Sequence, residues 1–146
     1  MAEEKAGSRP SWEEYFIGIA EAVSRRSTCD RAYVGAVVVK GKRILATGYN
    51  GSVSGLPHCS ELGHEMVDGH CVRTIHAEMN AMVMAAKHGI SIDGADMFIT
   101  HFPCYSCFKA LANVGIKRIY YKNAYRIDDK ILDMGKALGM EFIKLS

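Results

Sequence analysis

The chain has 146 residues, 49% hydrophobic and 23% charged, with a net charge of +2, which fits one globular domain with a single substantial core. So small a net charge argues against a nucleic-acid partner, and no apolar run approaches the roughly 20 residues that a membrane helix needs. Residues 1–10 are polar and lack the apolar stretch of a signal peptide, so they are expected to form a flexible tail ahead of one domain over 11–146 in a cytoplasmic protein. Five Cys in such a chain argue against a disulfide framework.

The elements are predicted in chain order as follows. Residues 11–27 form a helix: Ser11 is the N-cap with Glu14 three residues on, a capping box, and Phe16, Ile19, Ala20 and Val23 recur at helical spacing. The β-branched run 33–39 is a strand, 40–43 a turn, and 44–49 the returning strand of a hairpin. Residues 50–71, rich in Gly, Ser, His and Pro, read as a long loop, and loops of that length are usually functional. A helix over 76–88 is stopped by Gly89. A buried strand at 97–100 and a helix over 104–114, stopped by Gly115, come next. A strand at 117–121, a helix over 127–138 and a last strand at 141–144 complete the order. It implies an α/β fold, a five-stranded sheet covered by helices.

Two short motifs carry chemistry. His76-Ala77-Glu78 and Pro103-Cys104-Tyr105-Ser106-Cys107 supply one imidazole and two thiolates, a zinc set that leaves the fourth tetrahedral position open. Glu78 lies where it can move protons without ligating the metal. Cys104 and Cys107 share one helix face, and a helix N-terminus favours thiolate. Each half alone is weak; together they match the H-x-E…P-C-x-x-C signature of zinc deaminases. A closed zinc knuckle is the bland alternative, but no motif residue supplies a fourth ligand.

Nearly the whole chain, from Trp12 on, resembles the deoxycytidylate (dCMP) deaminase family. The resemblance rests on 26–29 (RSTC), 34–39 (VGAVVV), 48–51 (GYNG), 56–59 (LPHC), 71–81 (CVRTIHAEMNA) and 103–107 (PCYSC). It implies a three-layer cytidine-deaminase-like fold with a mixed sheet. It also implies zinc-dependent conversion of dCMP and water to dUMP and ammonia, the supply route for thymidylate. Carried over by residue, Ala77 belongs to the substrate contacts and Asn50 approaches the sugar 3′-hydroxyl. Arg26 and Ser27 approach the 5′-phosphate, and Tyr125 closes the pocket. The bland readings are a turn Asn before Gly51, a solvated helix end and a rim aromatic. Arg73 is assigned to phosphate, a carboxylate or an effector without a choice among them.

Some members of that family carry a second, structural zinc. Cys29, Cys59 and Cys71 give three thiolates, with His64 favoured as fourth ligand and His70 as the alternative; free Cys and surface His are the bland reading. His58, His88 and His101 read as surface, capping or pocket-wall residues, with His101, near Pro103, in the pocket. The resemblance further implies a homohexamer, activated by dCTP with Mg2+ and inhibited by dTTP, through the loop holding Gly48, Tyr49 and Gly51. Here Val53 stands where that loop usually has Pro. Met79, Met82 and Met84 fill the core or face a subunit interface. The alternatives are a deaminase of dCTP, another free cytosine nucleotide or a pterin-like ring, a polynucleotide editor, and a catalytically dead zinc module. One Trp and a net +2 argue against the editor, and an intact Glu78 against the dead module.

Overall fold

A computed structural model describes residues 8–29, 32–68 and 70–146, and for His70 the backbone only. The expected tail therefore falls, through residue 7, outside the described residues. Helix α1 (Trp12–Ser24) starts as expected: the Ser11 hydroxyl accepts from the Glu14 N–H at 3.1 Å. The box is altered, because the Glu14 carboxylate accepts from the Ser11 hydroxyl, at 3.2 Å. The helix stops short of Ser27. The N–H groups of Arg26 and Ser27 bond three residues back, to Val23 and Ser24, a tightening typical of helix ends.

Strands β1 (Gly35–Lys40) and β2 (Arg43–Tyr49) form the expected hairpin. Its turn holds Gly41 at φ 58° and Lys42 at φ 61°, the mirror-image geometry that suits the strand twist. After the hairpin come β3 (Gly51–Ser52), the one-turn α2 (Cys59–Leu62), β4 (Met66–Val67), β5 (His70–Cys71) and β6 (Thr74–Ile75). The region expected to be loop thus contains a small hairpin, β4 with β5, and a strand, β3, that pairs with β6 just beyond it. Elements this short leave no periodicity to read. Their apolar side chains are largely exposed: Leu56, Leu62, Met66 and Val67 all face solvent.

Then follow α3 (Ala77–Lys87), β7 (Asp96–His101), α4 (Tyr105–Val114), β8 (Arg118–Asn123), α5 (Asp129–Leu138) and β9 (Glu141–Lys144). Helix α5 begins two residues later than its pattern suggests, because Asp128 caps it through Lys130 N–H at 2.9 Å. The main sheet has the order β2-β1-β7-β8-β9. The first pairs are antiparallel, and β7, β8 and β9 run parallel, so the sheet is mixed and five-stranded as expected. Alternate residues face opposite layers. Val37, Val39 and Phe98 pack with Phe16, Ile17 and Ala20 of α1. Ala36, Val38, Met97 and Ile99 pack with Ala77, Ala81, Phe108 and Leu111 on the other side. The result is three layers. Among the described residues no helix is long and apolar enough to cross a membrane.

Two glycines set the layer spacing. A Cβ on Gly35 would strike the Ala20 carbonyl of α1, and one on Gly48 would strike the Ala77 carbonyl and the Ala81 N–H of α3. Helix α3 therefore lies on β2 backbone to backbone, with Ala77, Ala81 and Ala85 buried along the contact. Gly48→Ala should accordingly cost roughly 1–3 kcal/mol, the range for overpacking, read as a lower urea midpoint with unchanged slope.

Candidate active site and metal centres

Both motif halves stand at helix starts on the sheet edge where β7 ends. His76 is the N-cap of α3 and Cys104 the N-cap of α4, each with extended backbone, and Cys107 lies within the first turn of α4. His76 Nδ1 is 3.3 Å from Cys107 Sγ and 3.6 Å from Cys104 Sγ, and the three donor atoms lie within 4.8 Å of one another. Zn–S of about 2.3 Å and Zn–N of about 2.0 Å imply a nitrogen–sulfur edge of about 3.5 Å in a tetrahedron. The triangle fits that ion. Glu78, 4% exposed, lines the same cavity of about 360 Å³ as His76, Ala77, Cys104, Asn50 and His101.

The electrostatics favour a cation. The Cys104 thiol is pulled down to about 4, first by its hydrogen bond with Cys107 and then by His76. The same Cys107–Cys104 bond, with burial, pushes Cys107 up. His76 is raised, chiefly by Cys104. Burial pushes the Glu78 carboxyl above its ordinary value, against smaller opposing pulls from a backbone N–H and His76.

The second cluster also assembles. Cys29 Sγ is 3.4 Å from His64 Nδ1, Cys59 Sγ is 3.5 Å from Cys71 Sγ, and the four donor atoms lie within 4.8 Å of one another. Cys59 is pushed up to about 12, first by burial and then by Cys71 and Cys29. Cys71 sits at about 6: burial works against this, and hydrogen bonds from the backbone at Arg73 and Glu65 and from Cys59 outweigh it. The alternative ligand, the His70 side chain, lies outside the described residues.

A family model for the cytidine and deoxycytidylate deaminase zinc-binding region matches residues 10–123. A protein of Mycobacterium phage D29 named deoxycytidylate deaminase is 41% identical over 78% of this chain and 96% of its own length. The chain belongs to the dCMP deaminase family. ComE operon protein 2 of Bacillus subtilis is 48% identical over 81% of the chain, which spans 62% of that protein's length. The crystal structure of dCMP deaminase from cyanophage S-TIM5 in complex with dCMP and dUMP superposes with a TM-score of 0.81 at 42% identity, over 94% of this chain and 99% of that one.

The remaining family-derived positions divide. Asn50 is buried in the cavity wall, but its side chain is partly engaged: Oδ1 accepts from Val34 N–H at 2.9 Å and Nδ2 donates to the Ala32 carbonyl at 2.7 Å. Each end keeps room for one more partner. Arg26 and Ser27 line a neighbouring cleft with Arg25, Cys59 and His64 instead of the zinc cavity. The Ser27 hydroxyl is within reach of the Cys29 and Ala32 carbonyls. Tyr125 is fully exposed beyond β8 and is not brought to the cavity. Arg73 is occupied within its own loop, donating from Nε to the Gly63 carbonyl at 3.0 Å with Glu65 at 3.9 Å. Gly48, Tyr49 and Gly51 border a separate cleft of about 470 Å³ with His58, Asn80 and His88.

Sequence reasoning passed over Asn80, whose Nδ2 donates to the Tyr49 carbonyl at 2.8 Å and ties the hairpin end to α3 in this family member. Its signal was its place one turn beyond His76 on the same helix. His88 caps α3 as expected, with Nδ1 2.9 Å from the Met84 carbonyl. Met82 packs on the core and Met84 is exposed.

The raised carboxyl at Glu78 has a consequence for stability. Folding favours its protonated form, so its contribution is fully present below the ordinary value of 4.5 and is lost as pH rises through the folded value. In protein stripped of metal, Glu78→Gln should unfold at higher temperature than wild type at neutral pH. The two should converge below about pH 4.5 in thermal melts across pH.

Proposed function

We propose that this chain is a zinc-dependent hydrolase that converts dCMP and water to dUMP and ammonia, with residues 11–146 acting as one catalytic domain. The observation that carries the reading is the His76–Cys104–Cys107 triangle with a buried carboxylate, Glu78, in one cavity of about 360 Å³. The names of the phage relatives support the choice of substrate. Zinc held by the triangle supplies an acidified water near neutral pH. Glu78 would take a proton from the attacking water, pass it to N3 of the base, and later hand a proton to the departing amine. A C4–oxygen bond forms and the C4–N4 bond breaks, so water and dCMP account for every atom of dUMP and ammonia. Its raised proton affinity suits both the acid and the base role.

Ala77 and Asn50 hold the nucleotide in the cavity wall. Arg26 and Ser27, in the neighbouring cleft, approach the 5′-phosphate, and Tyr125 closes the pocket against base or phosphate. Cys29, Cys59, His64 and Cys71 hold a closed structural zinc, because a region with exposed Leu56, Leu62, Met66 and Val67 lacks the apolar burial to order itself. dCTP with Mg2+ activates and dTTP inhibits from the cleft at Gly48, Tyr49 and Gly51. The 48–51 segment supports this reading, since it borders that cleft and contributes Asn50 to the catalytic cavity. The assembly is a homohexamer, with exposed Val83 and Met84 of α3 at its contacts. Thiolate ligands need a reducing, cytoplasmic setting.

Two measurements test this. Glu78→Gln should lower dCMP turnover by roughly 10²–10⁴-fold while retaining zinc; unchanged turnover by ultraviolet assay would sink the reading. Cys59→Ser should drop bound zinc from about two to about one per chain by elemental analysis and lower the melting temperature, whereas equal metal content in both proteins would remove the structural site.

A further inference from the structure

His101 ends β7, is half-buried, and lines the catalytic cavity, yet the proton transfers described above leave it unused. Its neighbour Thr100 is 4% exposed. The Thr100 hydroxyl accepts from Gly35 N–H at 3.1 Å and lies 2.9 Å from His101 Nδ1. Among the described residues these are its partners. A hydroxyl has one proton to give, and the Gly35 amide can only donate. A buried donor left unpaired is costly, so the hydroxyl proton goes to Nδ1. With Nδ1 as acceptor, the ring proton sits on Nε2.

The backbone on either side of the ring is pinned. Asn123 Nδ2 donates to the Thr100 carbonyl at 3.0 Å, and Phe102 N–H donates to the Asn123 carbonyl at 2.8 Å. Burial lowers the proton affinity of His101, which keeps the ring neutral near pH 7. Elsewhere in the cavity wall, Val34 and Phe102 carry no polar side-chain atom, and the Asn50 amide already makes one bond at each end.

We infer that His101 is a substrate-reading residue, held by Thr100 in the Nε2–H tautomer so that this N–H donates to an uncharged acceptor oxygen of the nucleotide. The inference rests on the nucleotide reading of the cavity. A neutral N–H suits a base carbonyl or sugar oxygen; a phosphate is better met by a cation. A donor fixed in this way also disfavours a ligand that presents an amino group at the same point.

The test begins with ¹⁵N-histidine-labelled, zinc-loaded protein. Long-range ¹H–¹⁵N spectra at neutral pH should show His101 neutral and protonated at Nε2, and the Nε2–H signal should shift as dUMP is added to saturation. His101→Leu should raise KM for dCMP roughly 5- to 100-fold with kcat little changed. His101→Gln, whose amide nitrogen reaches the Nε2 position, should restore most of the loss. A proton on Nδ1, a signal indifferent to dUMP, or a KM for His101→Leu equal to wild type would each overturn the inference. If wild type fails to turn over dCMP, the proposed function fails by itself, and the tautomer and the dUMP titration still decide the role of His101.

Discussion

Gly48 lets α3 lie against β2 with no side chain between the backbones, and that contact determines where His76 stands. The helix cannot slide outward without opening a gap beside Ala77 and Ala81, which are fully buried, and close-packed interiors resist such gaps. With α3 fixed, its N-cap falls at the sheet edge where β7 ends. The turn from β7 into α4 brings Cys104 to the same edge, as the N-cap of a second helix. Ligand geometry therefore follows from two layer contacts and two caps, and the loops need only connect them. Helix N-termini add a favourable field for thiolates at that edge.

The same edge is where stability is given up. Glu78 is a carboxylate almost without solvent, and burial works against its charge. A neutral isostere would suit the core better, whereas the proton transfers proposed for Glu78 require the acid. The 51–75 region shows the complementary arrangement. It has little apolar burial of its own, and a tight Cys29–Cys59–His64–Cys71 cluster sits at its base. The four donor atoms lie within 4.8 Å of one another, so a metal held there, as proposed above, would order the segment in place of a hydrophobic core.

Much of this was legible in the sequence because the signals were local. Ser11 with Glu14 announced α1, Gly89 and Gly115 closed their helices nearby, and the apolar run of β1 announced a buried strand. The two Cys/His clusters were also legible, since Cys and His are few and the spacing of ligand sets is constrained. What stayed hidden depends on tertiary approach. Gly48 read as part of a ligand loop, whereas its lack of a side chain is required by Ala77 and Ala81 across the layer boundary. Arg73 was left open among phosphate, a carboxylate and an effector; it meets the Gly63 carbonyl and the Glu65 carboxylate beside a hairpin too short to predict. Asn80 carried no assigned role, and its amide holds the Tyr49 carbonyl. Each depends on a partner many positions away, and nothing in the local pattern specifies that partner.

The 48–51 segment shows how these contacts join two cavities. Asn80 grips the Tyr49 carbonyl from α3, and the next residue, Asn50, bonds to Ala32 and Val34 through its side chain and to Thr28 and Val34 through its backbone. Tyr49 faces the outer cleft while Asn50 faces the catalytic cavity. Adjacent residues share a planar peptide, so a backbone shift at Tyr49 large enough to move that plane would strain the bonds of Asn50 to Thr28, Ala32 and Val34. One peptide link thus separates a residue of the outer cleft from a residue of the catalytic cavity, and bonds to α3 and to residues 28–34 hold both.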